Sequence, residues 1–126
     1  MRMGLLGVVL AATVTVSGCA HKPTATAENG PAPTDYQATS TRYIEGMGFL
    51  NHPESARYSN WRGPVPGSHK GLTTPAVYGW LVCVDVNDKN NFGDYTGALT
   101  YNLLIKNDQV VETTLSADGA TCLISG

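Results

Sequence analysis

The amino-acid sequence predicts an α+β fold, with one or two short N-terminal helices packed on a small antiparallel β-meander of three to four strands. Two segments of alternating apolar residues, 76–87 and 95–106, predict the main strands, and a helical pattern precedes them. The length of 126 residues allows one small domain, which rules out a multidomain enzyme and a polytopic membrane protein. The net charge of -2, with scattered charged residues, excludes a nucleic-acid-binding protein built on a basic stripe.

The helical pattern lies in residues 41–50. Tyr43, Met47 and Leu50 recur at i, i+4 and i+7, which places them on one apolar face of a helix. The segment 51–58 begins with a capping side chain followed by Pro and an acid, an order typical of a helix start. It predicts a second, short helix that ends near Tyr58.

The first half of the sheet is predicted from residues 59–87. Ser59–Gly63 reads as a short strand with Trp61 as its large inward residue. The Gly- and Pro-rich segment 63–75 shows no periodicity and predicts a long mobile surface loop. Residues 76–87 are apolar on both strand faces, which favours a central strand.

The second half of the sheet follows a polar turn. Tyr95–Lys106 alternates again and predicts the next strand. Asn107–Asp108 is a typical two-residue hairpin turn because both residues tolerate positive φ. Gln109–Leu115 is the predicted return strand, and Asp118–Gly119 predicts one more turn before the C-terminus.

The N-terminus has the parts of an export signal. Residues 1–18 contain an Arg, a charge-free apolar run and small residues before Cys19, as a signal peptide does. Val16-Ser17-Gly18-Cys19 resembles a bacterial lipobox, which implies cleavage before Cys19, a diacylated thioether on its sulfur and a third acyl chain on its amine. Two or more chains make a stable membrane anchor. The alternative is an ordinary secretory signal with an incidental cysteine.

The resemblance to lipoproteins also implies a location. Under the enterobacterial sorting rule, Ala20 after the acylated cysteine implies the outer membrane, with the protein facing the periplasm. Residues 19–40 are rich in Pro, Ala and Thr and poor in bulky aliphatic residues, so they predict a disordered tether. The folded periplasmic domain is then 41–126.

Two cysteines remain if Cys19 carries lipid. Cys83 and Cys122 form an even pair in an oxidising compartment, which predicts a disulfide. Their bond would close a loop of 40 residues, 83 through 122, and stabilise the fold by roughly 4 kcal/mol in the chain-entropy treatment. Two buried free thiols are the alternative.

Two segments resemble one protein family. Residues 52–58 (HPESARY) and 82–97 (VCVDVNDKNNFGDYTG) are similar to the D-P-x-S-A-x-F and V-C-G-E-V-N-A-K-N-x-F-G-G-Y-x-G-F motifs of small secreted or lipid-anchored proteobacterial proteins. The resemblance spans about half of the folded part. It supports the fold and leaves the activity open. The sequence departs from the second motif at Val84, Asp88, Asp94 and Ala98.

The second motif includes a candidate binding loop. Asn87, Lys89, Asn90 and Tyr95 would present their side chains to a ligand if Phe92 held the loop in place. The alternative is an architectural turn in which Asn side chains satisfy backbone groups while Phe92 and Tyr95 cover the end of the sheet. We favour the architectural interpretation.

Patterns for metal binding, cofactor binding and catalysis are weak. A calcium loop started at Asp85 meets Lys89 at its fifth position, and one started at Asp88 ends on Leu99 instead of Glu. The histidines at 21, 52 and 69 lack ligand spacing, and no nucleophile elbow, phosphate loop or dinucleotide motif occurs. We therefore predict no metal, no cofactor and no enzymatic activity.

The expected function is that of an outer-membrane lipoprotein with a small periplasmic binding or scaffold domain. Its partner would be an envelope protein or peptidoglycan, with the membrane engaged through the lipid anchor and no nucleic acid bound. The first alternative is an inhibitor of an envelope enzyme such as lysozyme, with the segment 63–75 as its insert. The second alternative is a hydrolase that acts on peptidoglycan.

Overall fold

The computed structural model describes residues 24–70, 72–116 and 121–124. Four strands form one antiparallel sheet in the order β1-β2-β3-β4, so each strand pairs with its neighbours in sequence. Their bounds are β1, Arg57–His69; β2, Val77–Lys89; β3, Tyr95–Lys106; and β4, Gln109–Ser116. Before β1, the described residues form one α-helix, α1 (Tyr36–Gly46), and two 3₁₀ turns, Ala27–Asn29 and Pro53–Ser55.

The predicted α+β meander is confirmed in this coarse form. β2 pairs with both β1 and β3, as expected of a central strand. β3 has the predicted bounds, and Asn107 and Asp108 form the predicted turn with φ values of 51° and 59°. The predicted signal peptide, Cys19 and the Asp118–Gly119 turn lie outside the described residues.

Helix α1 begins earlier than the apolar pattern predicts. The Asp35 carboxylate accepts a hydrogen bond from the Ala38 N–H at 3.0 Å and caps the helix before the predicted start at 41. The helix ends at Gly46, and Gly48 takes a positive φ of 77°, which turns the chain away from the helical path. Within the described residues, no helix has the length and apolar character that crossing a membrane requires.

Helix α1 covers one face of the sheet and builds the core there. The buried cluster consists of Ile44 from the helix and of Val84, Val86, Tyr101 and Leu103 from the central strands. Burying aliphatic side chains of this size stabilises a fold by about 1.5–3 kcal/mol each. Trp61 packs against this cluster, as predicted for the inward residue of the first strand.

The C-terminal segment covers the opposite face. Cys83 and Cys122 are joined by a disulfide with a Cα–Cα distance of 5.9 Å, which confirms the predicted pairing. Asn102 holds the same segment, since its amide donates to the Thr121 carbonyl at 3.0 Å and accepts from the Leu123 N–H at 2.7 Å. Helix α1 therefore covers one face of the sheet, and the disulfide-linked C-terminal segment covers the other.

The segment predicted as a second helix, 51–58, does not form an α-helix. Only Pro53–Ser55 forms a single 3₁₀ turn, and β1 begins at Arg57. Tyr58 pairs with Val86 of the central strand and packs against the core. The tertiary contact overrides the local helix-start signal in this segment.

The loop predicted over 63–75 is also corrected, because β1 continues to His69. Gly63 and two prolines suggested a loop, yet β1 is an edge strand, where Pro is tolerated because one side of the strand needs no hydrogen-bonded neighbour. Register shifts on either side of Arg62 absorb the irregularity. Gly63 has φ 91°, and a Cβ there would collide with the Leu81 carbonyl oxygen, so the close approach of the two strands requires glycine.

The structure also differs from the disordered tether expected over 19–40. Asn29 is buried, and its amide donates to the carbonyls of Gly67 at 3.2 Å and Gly79 at 2.9 Å. The Gly30 carbonyl accepts from the Trp80 indole N–H at 3.2 Å. The expectation of disorder was based on the scarcity of bulky apolar residues. Long-range polar hydrogen bonds instead fix the described part of this segment to the sheet.

Candidate functional site

A cleft of about 340 Å³ lies at the end of the sheet where β2 turns into β3. Its apolar lining includes Leu50, Val86 and Tyr101, and its polar lining includes Lys89 and Asn90. Gly48 redirects the chain after α1, so the segment 49–51 forms the other wall. The cleft thus combines apolar and polar side chains, and more of its exposed lining is polar than apolar.

Asp88 fixes the shape of this cleft. Its carboxylate accepts the Asn51 N–H at 2.6 Å and the His52 N–H at 3.0 Å. These charge-assisted bonds tie the segment after α1 to the end of β2. Sequence reasoning noted Asp88 as a departure from a family motif and as a poor calcium ligand, and missed this role because both partners are more than 35 residues away.

The phenols near the cleft are held in their neutral form. Burial, and next the negative charges of Glu45, of an ionised Tyr101 and of Asp88, raise the pKa of Tyr58 to about 12. Burial and then the Asp88 charge also raise the pKa of Tyr101. The Tyr58 hydroxyl is buried and has no hydrogen-bond partner among the described residues. Tyr101 lines the cleft, whereas Tyr58 packs against the core cluster.

Two predicted binding residues, Asn87 and Asn90, hold the turn through their side-chain oxygens. The Asn90 side-chain oxygen accepts from the N–H groups of Phe92 at 2.9 Å and Asp94 at 3.0 Å. The Asn87 side-chain oxygen accepts from the Gly97 N–H at 3.2 Å. Both side chains satisfy backbone groups, as the architectural interpretation expects.

The other two predicted binding residues, Lys89 and Tyr95, lie next to each other. The Tyr95 hydroxyl donates to the Ser55 carbonyl at 2.7 Å, which anchors the ring against the 3₁₀ turn. The Arg57 guanidinium lies 3.9 Å from the ring centroid and the Lys89 ammonium 5.3 Å from it. Both distances suit cation–π attraction. Tyr95 is thus a structural platform that places two cations near the cleft.

Phe92 contradicts the architectural interpretation. It was expected to cover the sheet end, but its side chain is 90% exposed. Asn90 closes the turn so tightly that residue 92 is carried outward at its tip. Phe49, which lines the cleft, is 65% exposed. Two unburied phenylalanines therefore stand at this end of the sheet.

A second polar cluster lies on the sheet face opposite α1. Asp85 accepts hydrogen bonds from Arg62 at 2.6 Å, Thr100 at 2.8 Å and Asn60 at 3.0 Å. Burial alone would raise the pKa of the Asp85 carboxyl, but these hydrogen bonds and the Arg62 charge outweigh it and hold the pKa below its usual value. The cluster joins β1, β2 and β3 across the irregular part of β1, which makes it a structural element.

No group of three or more potential metal ligands occurs among residues 24–70, 72–116 and 121–124. The carboxylates considered for calcium are engaged elsewhere, since Asp85 binds Arg62 and Asp88 binds two backbone N–H groups. The proposed lipidation site, Cys19, lies outside the described residues.

Comparisons of the chain with protein-family models, curated proteins and solved structures found no match. The resemblance to small exported proteobacterial proteins therefore stays a prediction.

Proposed function

We propose that this protein is a bacterial outer-membrane lipoprotein, acylated on Cys19, whose periplasmic domain binds a segment of another envelope protein in the cleft at the β2–β3 end of the sheet. The observation that carries the binding function is the cleft, which combines apolar and polar side chains, together with the exposed ring of Phe49 in its lining and that of Phe92 in the adjoining β2–β3 turn. Aromatic residues of this kind dominate the energetics of protein interfaces.

The hydrogen bonds around the cleft distinguish residues that hold its shape from residues that remain available to a partner. Both carboxylate oxygens of Asp88 and the side-chain oxygen of Asn90 accept hydrogen bonds from the backbone, so these residues hold the walls in place. Phe49 and Phe92 leave most of their surface in water, which costs free energy that a partner would recover by covering them. A preformed cleft with exposed rings favours binding with little rearrangement.

The same geometry argues against the hydrolase alternative. A glycoside hydrolase needs two carboxyl groups that flank the scissile bond. Of the described residues that line the cleft, Asp88 alone carries a carboxylate, and both of its oxygens accept backbone hydrogen bonds. The inhibitor alternative loses most of its expected insert, because residues 63–69 belong to β1.

The lipid anchor is tested by labelling with radioactive palmitate. The wild-type protein should take up the label and fractionate with the outer membrane, whereas Cys19→Ala should take up none and leave an unprocessed or soluble product. A wild-type protein that takes up no label and is free in the periplasm would show that the lipobox interpretation is wrong.

The cleft is tested by photocrosslinking in intact cells. A photoreactive residue at position 92 or 49 should give one discrete protein adduct, and the same residue at Val111, an exposed apolar site on β4, serves as the matched control. Truncating an aromatic anchor costs about 2 kcal/mol of binding or more, roughly thirtyfold in Kd. Phe49→Ala should therefore strongly reduce the adduct formed from position 92.

The outcome also separates protein from peptidoglycan as the partner. Adducts that are digested by muramidase, together with binding to purified sacculi that Phe92→Ala abolishes, would replace the protein partner by peptidoglycan. Equal adducts from positions 92, 49 and 111 would refute a specific site at this end of the sheet.

A further inference from the structure

The antiparallel order of the strands gives the domain two distinct ends. The β1–β2 and β3–β4 turns lie at one end, and the β2–β3 turn with its cleft lies at the other. β2 contains 13 residues, so the two ends are separated by roughly 40 Å at about 3.3 Å per residue.

The N-terminal segment lies against the end that is remote from the cleft. Thr24 shares a hollow of about 160 Å³ with Gly67, Ser68 and Tyr78, close to the β1–β2 turn. Asn29 fixes the segment there through its hydrogen bonds to backbone carbonyls of β1 and β2. The chain therefore enters the fold beside the β1–β2 turn.

The distance from the proposed anchor to this entry point is short. Cys19 precedes Thr24 by five residues, which span at most about 18 Å when fully extended. The long tether expected from composition would have let the domain drift freely. The docked segment instead keeps the β1–β2 turn near any membrane that holds Cys19.

The surface at this turn suits a lipid headgroup layer. Leu72 is fully exposed, Lys70 is exposed and Tyr78 is partly exposed. Residues 69–78 contain no acidic side chain. An exposed apolar side chain close in sequence to an exposed Lys and Tyr is typical of segments that rest at a membrane interface, where the ammonium meets phosphates and the phenol ring lies at headgroup depth.

We propose that the β1–β2 turn, through the exposed Leu72, rests in the headgroup layer of the membrane that anchors Cys19, so that the domain stands on the bilayer with its cleft directed away from it. The proposal rests on the acylation of Cys19. The lipid anchor supplies the affinity, and the turn sets the orientation. The cleft then lies roughly 40 Å from the headgroups, within reach of a partner that is not itself in the membrane.

The test uses the acylated full-length protein in vesicles of phosphatidylethanolamine and phosphatidylglycerol, with and without lipids brominated on their acyl chains. Leu72→Trp places a reporter at the proposed contact. Phe92→Trp is the matched control, because it places the same indole at an equally exposed site on the opposite end. The emission of each variant is compared with that of the wild type, which carries Trp61 and Trp80.

We expect the emission added by Leu72→Trp to shift to shorter wavelength in vesicles and to lose most of its intensity when the lipids are brominated. The emission added by Phe92→Trp should stay at the wavelength of a solvated indole and be quenched by aqueous acrylamide only.

Flotation of the same vesicles tests the lipid anchor separately from the orientation of the domain. If the protein floats with the vesicles but the emission added by Leu72→Trp is quenched by acrylamide and not by brominated lipid, the orientation is refuted while the anchor stands. Equal quenching of both variants by brominated lipid likewise refutes a defined orientation. If the wild-type protein does not float at all, both the anchor and the membrane contact are refuted.

Discussion

The position of Phe92 leads to a testable prediction about stability. The sequence-based expectation and the structure predict different losses of folding free energy for Phe92→Ala. A buried ring would cost about 3–5 kcal/mol on truncation. In the structure the ring is 90% exposed. Folding therefore removes roughly a tenth of its area of about 150–250 Å² from water, which corresponds to roughly 0.5 kcal/mol at about 25 cal/mol per Å².

Urea unfolding of the purified protein, followed by tryptophan fluorescence, measures this difference. Phe92→Ala should shift the midpoint only slightly and leave the m-value unchanged. Leu103→Ala is the internal reference, since Leu103 is fully buried in the core and its truncation should cost about 2–5 kcal/mol.

A loss of more than about 2 kcal/mol for Phe92→Ala would refute the reasoning, because an exposed ring has too little buried area to account for it. The ring would then be packed against the sheet end, and the argument for an exposed contact residue at the cleft would fail with it. A loss near the expected value, combined with a loss of crosslinking at the cleft, would assign Phe92 to binding.

The remaining predictions concern the supporting structure. Asp85→Asn should cost about 2 kcal/mol, the size of a charge-assisted hydrogen bond. Because the folded pKa of Asp85 is lowered, its contribution to the free energy of unfolding is present above the usual pKa of 3.8 and is lost as the pH falls through the folded value. In acid unfolding curves, Asp85→Asn should therefore lack this pH-dependent loss of stability. Cys83 and Cys122 should resist alkylation without reductant, and reducing their bond should cost roughly 4 kcal/mol; full alkylation of both under oxidising conditions would contradict the disulfide. The folded pKa of Tyr58 is raised to about 12, so its contribution to stability is present below pH 10 and is lost as the pH rises towards 12. Phenolate absorbance should show a late component that Tyr58→Phe reduces, while the contribution of Tyr101, whose pKa is also raised, remains.

The central part of the sheet was predictable because its residues repeat with a period of two. Val82, Val84 and Val86 alternate in sequence and are all buried in the structure. The Asn107–Asp108 turn was predictable because two residues that tolerate positive φ stand between two strand patterns. Local chemistry alone decides both features.

The edge strand and the N-terminal segment were not predictable in the same way. β1 contains Pro64 and Pro66, and a sequence does not show whether a strand will lie at an edge, where such residues are tolerated. The docking of Asn29 depends on carbonyls 38 and 50 residues away. No local pattern carries that information, since any exposed Asn in a loop has the same sequence appearance.

The sequence predicted the location of the candidate site but not which of its side chains are exposed. Lys89 and Asn90 line the cleft, so the motif that contains them does lie at the site. Phe92 was expected to be buried because it is large and apolar, but it lies in the turn that the Asn90 side chain closes, and its ring is exposed there. A sequence pattern does not show in which direction such a turn carries its side chains.

Asparagines play the same physical role at three separate places in this fold. Asn29, Asn90 and Asn102 each bond at least two backbone groups. Asn29 joins the N-terminal segment to β1 and β2, Asn102 joins the C-terminal segment to β3, and Asn90 closes the β2–β3 turn. These side chains satisfy backbone hydrogen-bonding groups, as backbone groups in a folded protein require. It follows that alanine at Asn90 would disturb the turn that carries Phe92, and a loss of binding in that variant would not assign Asn90 to the contact surface. Variants at the exposed rings, which leave this framework intact, are therefore the ones that can distinguish a binding site from its support.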